Sequence, residues 1–246
     1  PTAFLHWPWW SDGTSDLLYL TFDGCVANCP YKIAKLSIDQ LATGTQLVGT
    51  AGGHMVGLYP FRLNTQDYLY FGLNDSPFGL FYEELPDGTY GIVRTLTYES
   101  AQSTLIASGG TLDIFNVQSM EAFDWQGEPY AAYTVSERNV GGKSQAFANQ
   151  TEVWVVKLDG LQTGAPLVRC RVSENDVVGT PMSRTEPEPV VIGDEAYIFY
   201  SAGQPTSQES SYAYRWRRLH LGDKALFDAA CAAGTVWSEV PAANLL

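Results

Sequence analysis

Glu121 and Glu188 are the residues of this chain best suited to chemistry. Each opens a short apolar stretch, EAFDWQGEPYAAY at 121–133 and EPVVIGDEAYIFY at 188–200, and the two stretches align without a gap. Two carboxylates about 5–10 Å apart can cleave an acetal, one as acid and the other as base or nucleophile. Without such a partner, a glutamate at a strand opening is a solvated or turn-capping residue, and the spacing leaves both roles open. The same register holds Trp7 in WPWWSDGTSDLLYL (7–20), with one extra turn residue, and Tyr59 in YPFRLNTQDYLYF (59–71). Trp7, Tyr59 and Trp125, with Trp9 and Trp10, are candidate ligand-binding aromatics. Ring faces supply contact area and a few polar groups supply direction, as in sugar sites. Their other role is packing between sheets. His6 and His54 precede Trp7 and Tyr59 and would add polar contacts to a ligand at the same mouth. They lack the spacing of a metal site.

Other motifs carry less. GGKS at 141–144 resembles the end of a phosphate loop, but Glu137 stands where that loop needs its first glycine. G-x-S-x-G, H-E-x-x-H and the EF-hand loop are all missing from the sequence, and no cofactor or metal is expected. Cys25 and Cys29 flank the short turn CVANC, which a disulfide would close. That leaves Cys170 and Cys231 for a long-range bridge. Asn74-Asp75-Ser76 and Asn149-Gln150-Thr151 are sequons expected in loops.

The elements that would position these residues come from a repeat. Each of the four openings is followed by a polar turn and a second strand rich in Tyr or Leu. A third strand follows at 31–39, 79–88, 152–160 and 212–222. A fourth is expected at 45–49, 90–98, 166–172 and 235–240. Alternating apolar and polar residues mark half-buried strands, and Asp and Gly at the junctions mark turns. Four-stranded meanders recurring every ~60 residues are the pattern of propeller blades. The expected fold is therefore all-β, a four-bladed β-propeller of antiparallel four-stranded sheets. Residues 1–246 would form a single domain, with units starting near 7, 59, 121 and 188. A five-bladed ring and a β-sandwich are the alternatives. Residues 99–118 read as one long connection, and DKALFDAACAAG (223–234) is the one helix candidate.

The stretch TEPEPVVIGDEAYIFYSAG (185–203) resembles the blade openings of propeller glycosidases of the arabinanase and xylosidase type. In those families an acidic residue opens an inner strand and a tyrosine-bracketed strand follows its turn. The resemblance covers about two blades and implies channel-facing carboxylates at Glu188 and Glu121. Those enzymes have five blades and three such carboxylates, whereas Trp7 and Tyr59 fill the equivalent positions here.

Composition narrows the partners. The chain carries a formal charge of −13 with only 14 Lys and Arg, which argues against nucleic acid. It has no apolar run long enough for a membrane span. An even cysteine count suits an oxidised, extracytoplasmic protein; four buried free thiols are the alternative. Pro1 opening directly on strand-like sequence fits removal of a leader, removal of an initiator Met, or a trimmed chain equally well. The expected function is an extracytoplasmic binding or scaffold propeller that presents a channel mouth or rim to a carbohydrate or protein partner. A glycan hydrolase using Glu121 and Glu188, and a structural subunit of an extracellular assembly, are the alternatives.

Overall fold

The computed structural model describes residues 9–11, 16–22, 31–37, 45–51, 55–73, 79–86, 90–96, 111–140, 150–173, 183–203 and 215–234. The chain divides into two compact units, Pro1–Thr97 and Tyr98–Leu246.

The first unit holds two antiparallel sheets. One runs β1 (Trp9–Ser11), β2 (Asp16–Phe22), β3 (Tyr31–Ser37) and β4 (Thr45–Ala51). The other runs β5 (Met55–Leu63), β6 (Gln66–Leu73), β7 (Gly79–Glu84) and β8 (Tyr90–Leu96). Strands pair in chain order, so each sheet is a simple meander. The paired ends Ser11 and Asp16 enclose four residues where the second sheet's Leu63 and Gln66 enclose two, so the first copy is longer by two turn residues rather than one. Phe61, Tyr70 and Phe81 form an aromatic cluster in the second sheet, with ring centroids 5.1–6.1 Å apart. Leu69 and Tyr70, consecutive and on opposite faces, are both buried.

The second unit repeats the plan. Its third sheet contains β9 (Thr111–Trp125), β10 (Glu128–Val140), β11 (Gln150–Lys157) and β12 (Arg169–Arg171). Its fourth contains β13 (Ser183–Ile192), β14 (Glu195–Gly203) and β15 (Arg215–His220). The expected openings Tyr59, Glu121 and Glu188 fall within β5, β9 and β13, the first strands of their sheets. Trp7 itself and the expected fourth strand at 235–240 lie outside the described residues.

Three sequence expectations are corrected. Residues 111–118 are not connection but the first half of β9, where Leu112, Ile114 and Val117 extend the strand against β10. Asp159-Gly160 opens a short helix, α1 (Asp159–Thr163), instead of a turn. A Cβ at Gly160 would lie 2.7 Å from the Ala165 carbonyl oxygen, so the following loop requires glycine there. The sequon residue Thr151 is buried in β11 rather than placed in a loop. The helix candidate is present as α2 (Lys224–Ala232), whose N-cap Asp223 accepts from Leu226 N–H at 3.0 Å.

The core of this unit lies between its two sheets. Trp125, Tyr130, Ala132, Val153, Val155 and Val172 come from the third sheet and its flank; Ala196, Ile198, Tyr200, Ala202 and Leu219 come from the fourth. Phe227 of α2 closes one end, its ring 5.4 Å from that of Trp125. The Cys170–Cys231 disulfide ties β12 to the same helix. Cys25 and Cys29 lie outside the described residues.

Polar side chains are also buried here. Glu152, 1% exposed, pairs with Arg171 at 2.6 Å and accepts from the Trp154 indole at 3.0 Å. Burial pushes the Glu152 carboxyl up, against the opposing pull of Arg171. Arg184 at the head of β13 donates to the Thr151 carbonyl at 2.8 Å, linking the two sheets. A buried pair of this kind penalises any register that would separate its partners.

Candidate functional site

The first strands of the third and fourth sheets share one irregularity. In β9, Ser119 and Met120 together oppose one residue of β10; in β13, Glu186 and Pro187 together oppose one residue of β14. Ser119 and Glu186 both adopt φ of 53°, in the left-handed region. Such bulges re-aim the side chains beside them, and here they stand two residues before Glu121 and Glu188. A register shift between Met55 and Gly57 lies in nearly the same place before Tyr59. The repeat thus extends to its bulges.

The two glutamates nevertheless end on different faces. Glu121 pairs with Ala132, so it lies on the face of the third sheet that turns toward the fourth, and it is half-buried. Glu188 pairs with Phe199 and alternates with Pro189, whose partner Ile198 is in the core. Glu188 is therefore exposed on the opposite face of the fourth sheet. That sheet stands between the carboxylates, so one glycosidic bond would not be flanked by both.

Trp125, expected at a ligand-binding rim, is instead wholly buried, and its indole donates to the Asp194 carbonyl at 2.8 Å. The alternation that placed it beside the openings also points it inward, toward Tyr130 and Phe227. Tyr59 is half-buried and stacks on Phe61 at 6.4 Å. Trp7, His6 and His54 lie outside the described residues.

What the structure brings together is a site the sequence reading missed. Two hairpin turns, Gln126-Gly127 and Gly193-Asp194, meet where the Gln126 side chain donates to the Asp194 carbonyl at 2.9 Å. Beside them, β15 ends at His220 and the chain turns through Gly222 into α2. Between these segments is an open cleft of about 430 Å³, lined among others by Gln126, Asp194, Glu195, His220, Asp223 and Lys224. Carboxylates, an amide, an imidazole and an ammonium thus surround one concavity.

The cleft borders the outer face of the fourth sheet. Along β14, Ala196, Ile198, Tyr200 and Ala202 turn inward, which leaves Glu195, Tyr197, Phe199 and Ser201 facing out. Tyr197 pairs with His220, and their rings stack at 4.7 Å with planes 17° apart. The Arg218 guanidinium stands 5.7 Å from the Tyr197 ring. The Tyr197 hydroxyl donates to the Glu195 carboxylate, and this bond raises the phenol's pKa. The stacked Tyr197–His220 pair therefore borders the polar cleft, with His220 lining it directly.

A charged cluster holds Lys224, one of the residues lining the cleft. Lys224 bonds Glu128 and, at 3.0 Å, Asp228; Lys157 bonds Glu128 at 2.8 Å; the Tyr130 hydroxyl donates to Asp228 at 2.8 Å. Hydrogen bonds from Lys157 and Lys224 pull the Glu128 carboxyl down to about 2. Burial alone would lower the Lys224 pKa, but its carboxylate partners prevail and raise it. These pairs hold the start of α2 against β10 and β11. Among the described residues, no group of three or more His, Cys, Asp or Glu is placed to hold a metal, and no helix is long and apolar enough to cross a membrane.

A signal for this site was available in the sequence. In RWRRLH (215–220), period two places Trp216, Arg218 and His220 on one face and Arg217 and Leu219 on the other. A tryptophan on the polar face of a strand is the unusual feature.

No family model matches the chain. No curated protein matches it either. Solved structures similar to it include a thermostable family-43 glycoside hydrolase, 13% identical, with a TM-score of 0.46 over 95% of this chain and 71% of that one. Another is an RGII complex of BT0996, 11% identical, with a TM-score of 0.44 over 86% of this chain and 69% of that one. At such low similarity neither defines the fold or the site, which rest on the sheets and side chains described above.

Proposed function

We propose that this chain is an extracytoplasmic glycan-binding protein of propeller type, its four sheets being copies of one blade plan and the fourth presenting its outer face to the ligand. The observation that carries the reading is the Tyr197–His220 platform beside the cleft of Gln126, Asp194, Glu195, Asp223 and Lys224. Sugar rings present C–H faces that pack on aromatic rings and hydroxyls that need both donors and acceptors; this site offers all three. Binding is favoured over hydrolysis because Glu121 and Glu188 occupy faces separated by a sheet. The Cys170–Cys231 disulfide supports a place outside the reducing cytoplasm.

Calorimetry of wild type and Tyr197→Ala against arrayed neutral and anionic oligosaccharides tests the reading. Wild type should bind a subset, and Tyr197→Ala should weaken that binding about tenfold, the upper value of an aromatic contact. Absence of saccharide binding by the wild type would refute the proposal.

A further inference from the structure

The outer face of the fourth sheet continues beyond the cleft. Along β15 the residues on this face are His220, Arg218 and Trp216, paired with Tyr197, Phe199 and Ser201 of β14. Trp216 is 53% exposed, although tryptophan is the residue with the most apolar surface to lose from water. Its cross-strand neighbour Ser201 is too small to cover an indole. On β13 the same face adds Val190, which is 39% exposed, and Glu188. The face is therefore apolar and aromatic with polar groups between the rings, rather than a closed hydrophobic patch.

Spacing and charge identify the occupant. Same-face residues on a strand are two rises apart, so His220 and Trp216 are separated by about 13 Å. A single sugar ring does not bridge that gap, whereas a short oligosaccharide does. The carboxylates at the cleft and along the face, Asp194, Glu195, Asp223 and Glu188, outnumber the cations Arg218 and Lys224, and Lys224 is already engaged by Glu128 and Asp228. The whole chain carries a charge of −13. A polyanionic glycan would be repelled from this surface; a neutral one would not.

We infer that the site takes an extended neutral oligosaccharide lying along β15, with one end in the cleft on Tyr197 and His220 and the other stacked on Trp216. This inference rests on the glycan-binding reading and specifies its ligand class and length. Trp216 is then a second platform, silent toward short ligands.

The test is calorimetric titration with neutral gluco-, xylo- and arabino-oligosaccharides, disaccharide through hexasaccharide, and with oligogalacturonate as the anionic counterpart. Affinity should rise with length. Trp216→Ala should weaken the hexasaccharide roughly fivefold and leave the disaccharide unchanged, while Trp216→Phe retains most of the affinity. Tyr197→Ala should weaken both lengths. Hexasaccharide binding unaffected by Trp216→Ala would overturn the inference while leaving the glycan-binding reading in place. Oligogalacturonate binding as tightly as the neutral hexasaccharide would overturn its charge argument. Concentration-dependent dimerisation lost in Trp216→Ala would assign this face to a second copy instead. Failure of every saccharide to bind wild type would remove the parent reading and this one together.

Discussion

The third and fourth sheets grow from the same repeat yet are buried in different ways. In β11 every residue from Thr151 to Val156 is buried, so both faces of that strand are covered. In β14 burial alternates residue by residue, and only the core-facing side is covered. The contrast also holds between single tryptophans: Trp125 is 0% exposed and Trp216 is 53% exposed. Sheet repetition therefore builds the framework, and within the second unit the fourth sheet leaves one face open.

Substitutions on the two sheets should separate these roles. Trp125→Ala removes a fully buried ring and should cost about 3–5 kcal/mol in denaturant unfolding. Arg171→Ala strands the Glu152 carboxylate and should cost a similar ~3–5 kcal/mol. Trp216→Ala, on the open face, should stay within about 0.5 kcal/mol of wild type. A large loss from Trp216→Ala together with a small one from Trp125→Ala would reverse the assignment of core and platform.

The disulfide sharpens the comparison because it joins the third sheet to the helix that borders the cleft. Replacing Cys170 and Cys231 with serine should cost about 2–5 kcal/mol, read as a fall in the unfolding midpoint. An unchanged midpoint would mean that the packing of Phe227 and the ion pairs of Lys224 hold α2 without the bridge.

The Glu128 cluster supplies a pH signature. Its carboxyl is lowered from 4.5 to about 2 in the folded protein, so it binds fewer protons there than in the unfolded chain. The stability it contributes is present above pH 4.5 and is lost as pH falls toward 2. Glu128→Gln should therefore melt below wild type at neutral pH, with the gap closing across that acid window. A gap independent of pH would mean that the lysine pairing adds no stability.

The framework was legible because its signals are local. The short apolar runs in EVWVVKL and EAYIFYS, and Asp and Gly at the turns, are properties of short segments. The Asp223 cap and the apolar spacing of α2 are equally local. The site was not legible for the opposite reason. It forms where turn 126–127, turn 193–194 and the start of α2 converge, residues separated by up to about a hundred positions, and no spacing rule connects them. Glu121 and Glu188 illustrate the limit well. Equivalence in the repeat placed them at equivalent positions, including the bulge before each, but equivalence of position is not proximity. It set one toward the interior and the other on the exposed face beyond. Trp125 misled because an aromatic near a strand opening reads the same whether it faces a rim or a core.

The most direct measurement is the length-resolved affinity of wild type, Tyr197→Ala and Trp216→Ala for one neutral oligosaccharide ladder, with Glu188→Gln as a control and turnover followed in the same samples. The expected result is binding that strengthens with chain length, falls about tenfold at all lengths in Tyr197→Ala, and persists in Glu188→Gln with no hydrolysis in any sample. Hydrolysis of the ladder by wild type, abolished in Glu188→Gln, would contradict a binding role and return the chemistry to the glutamates.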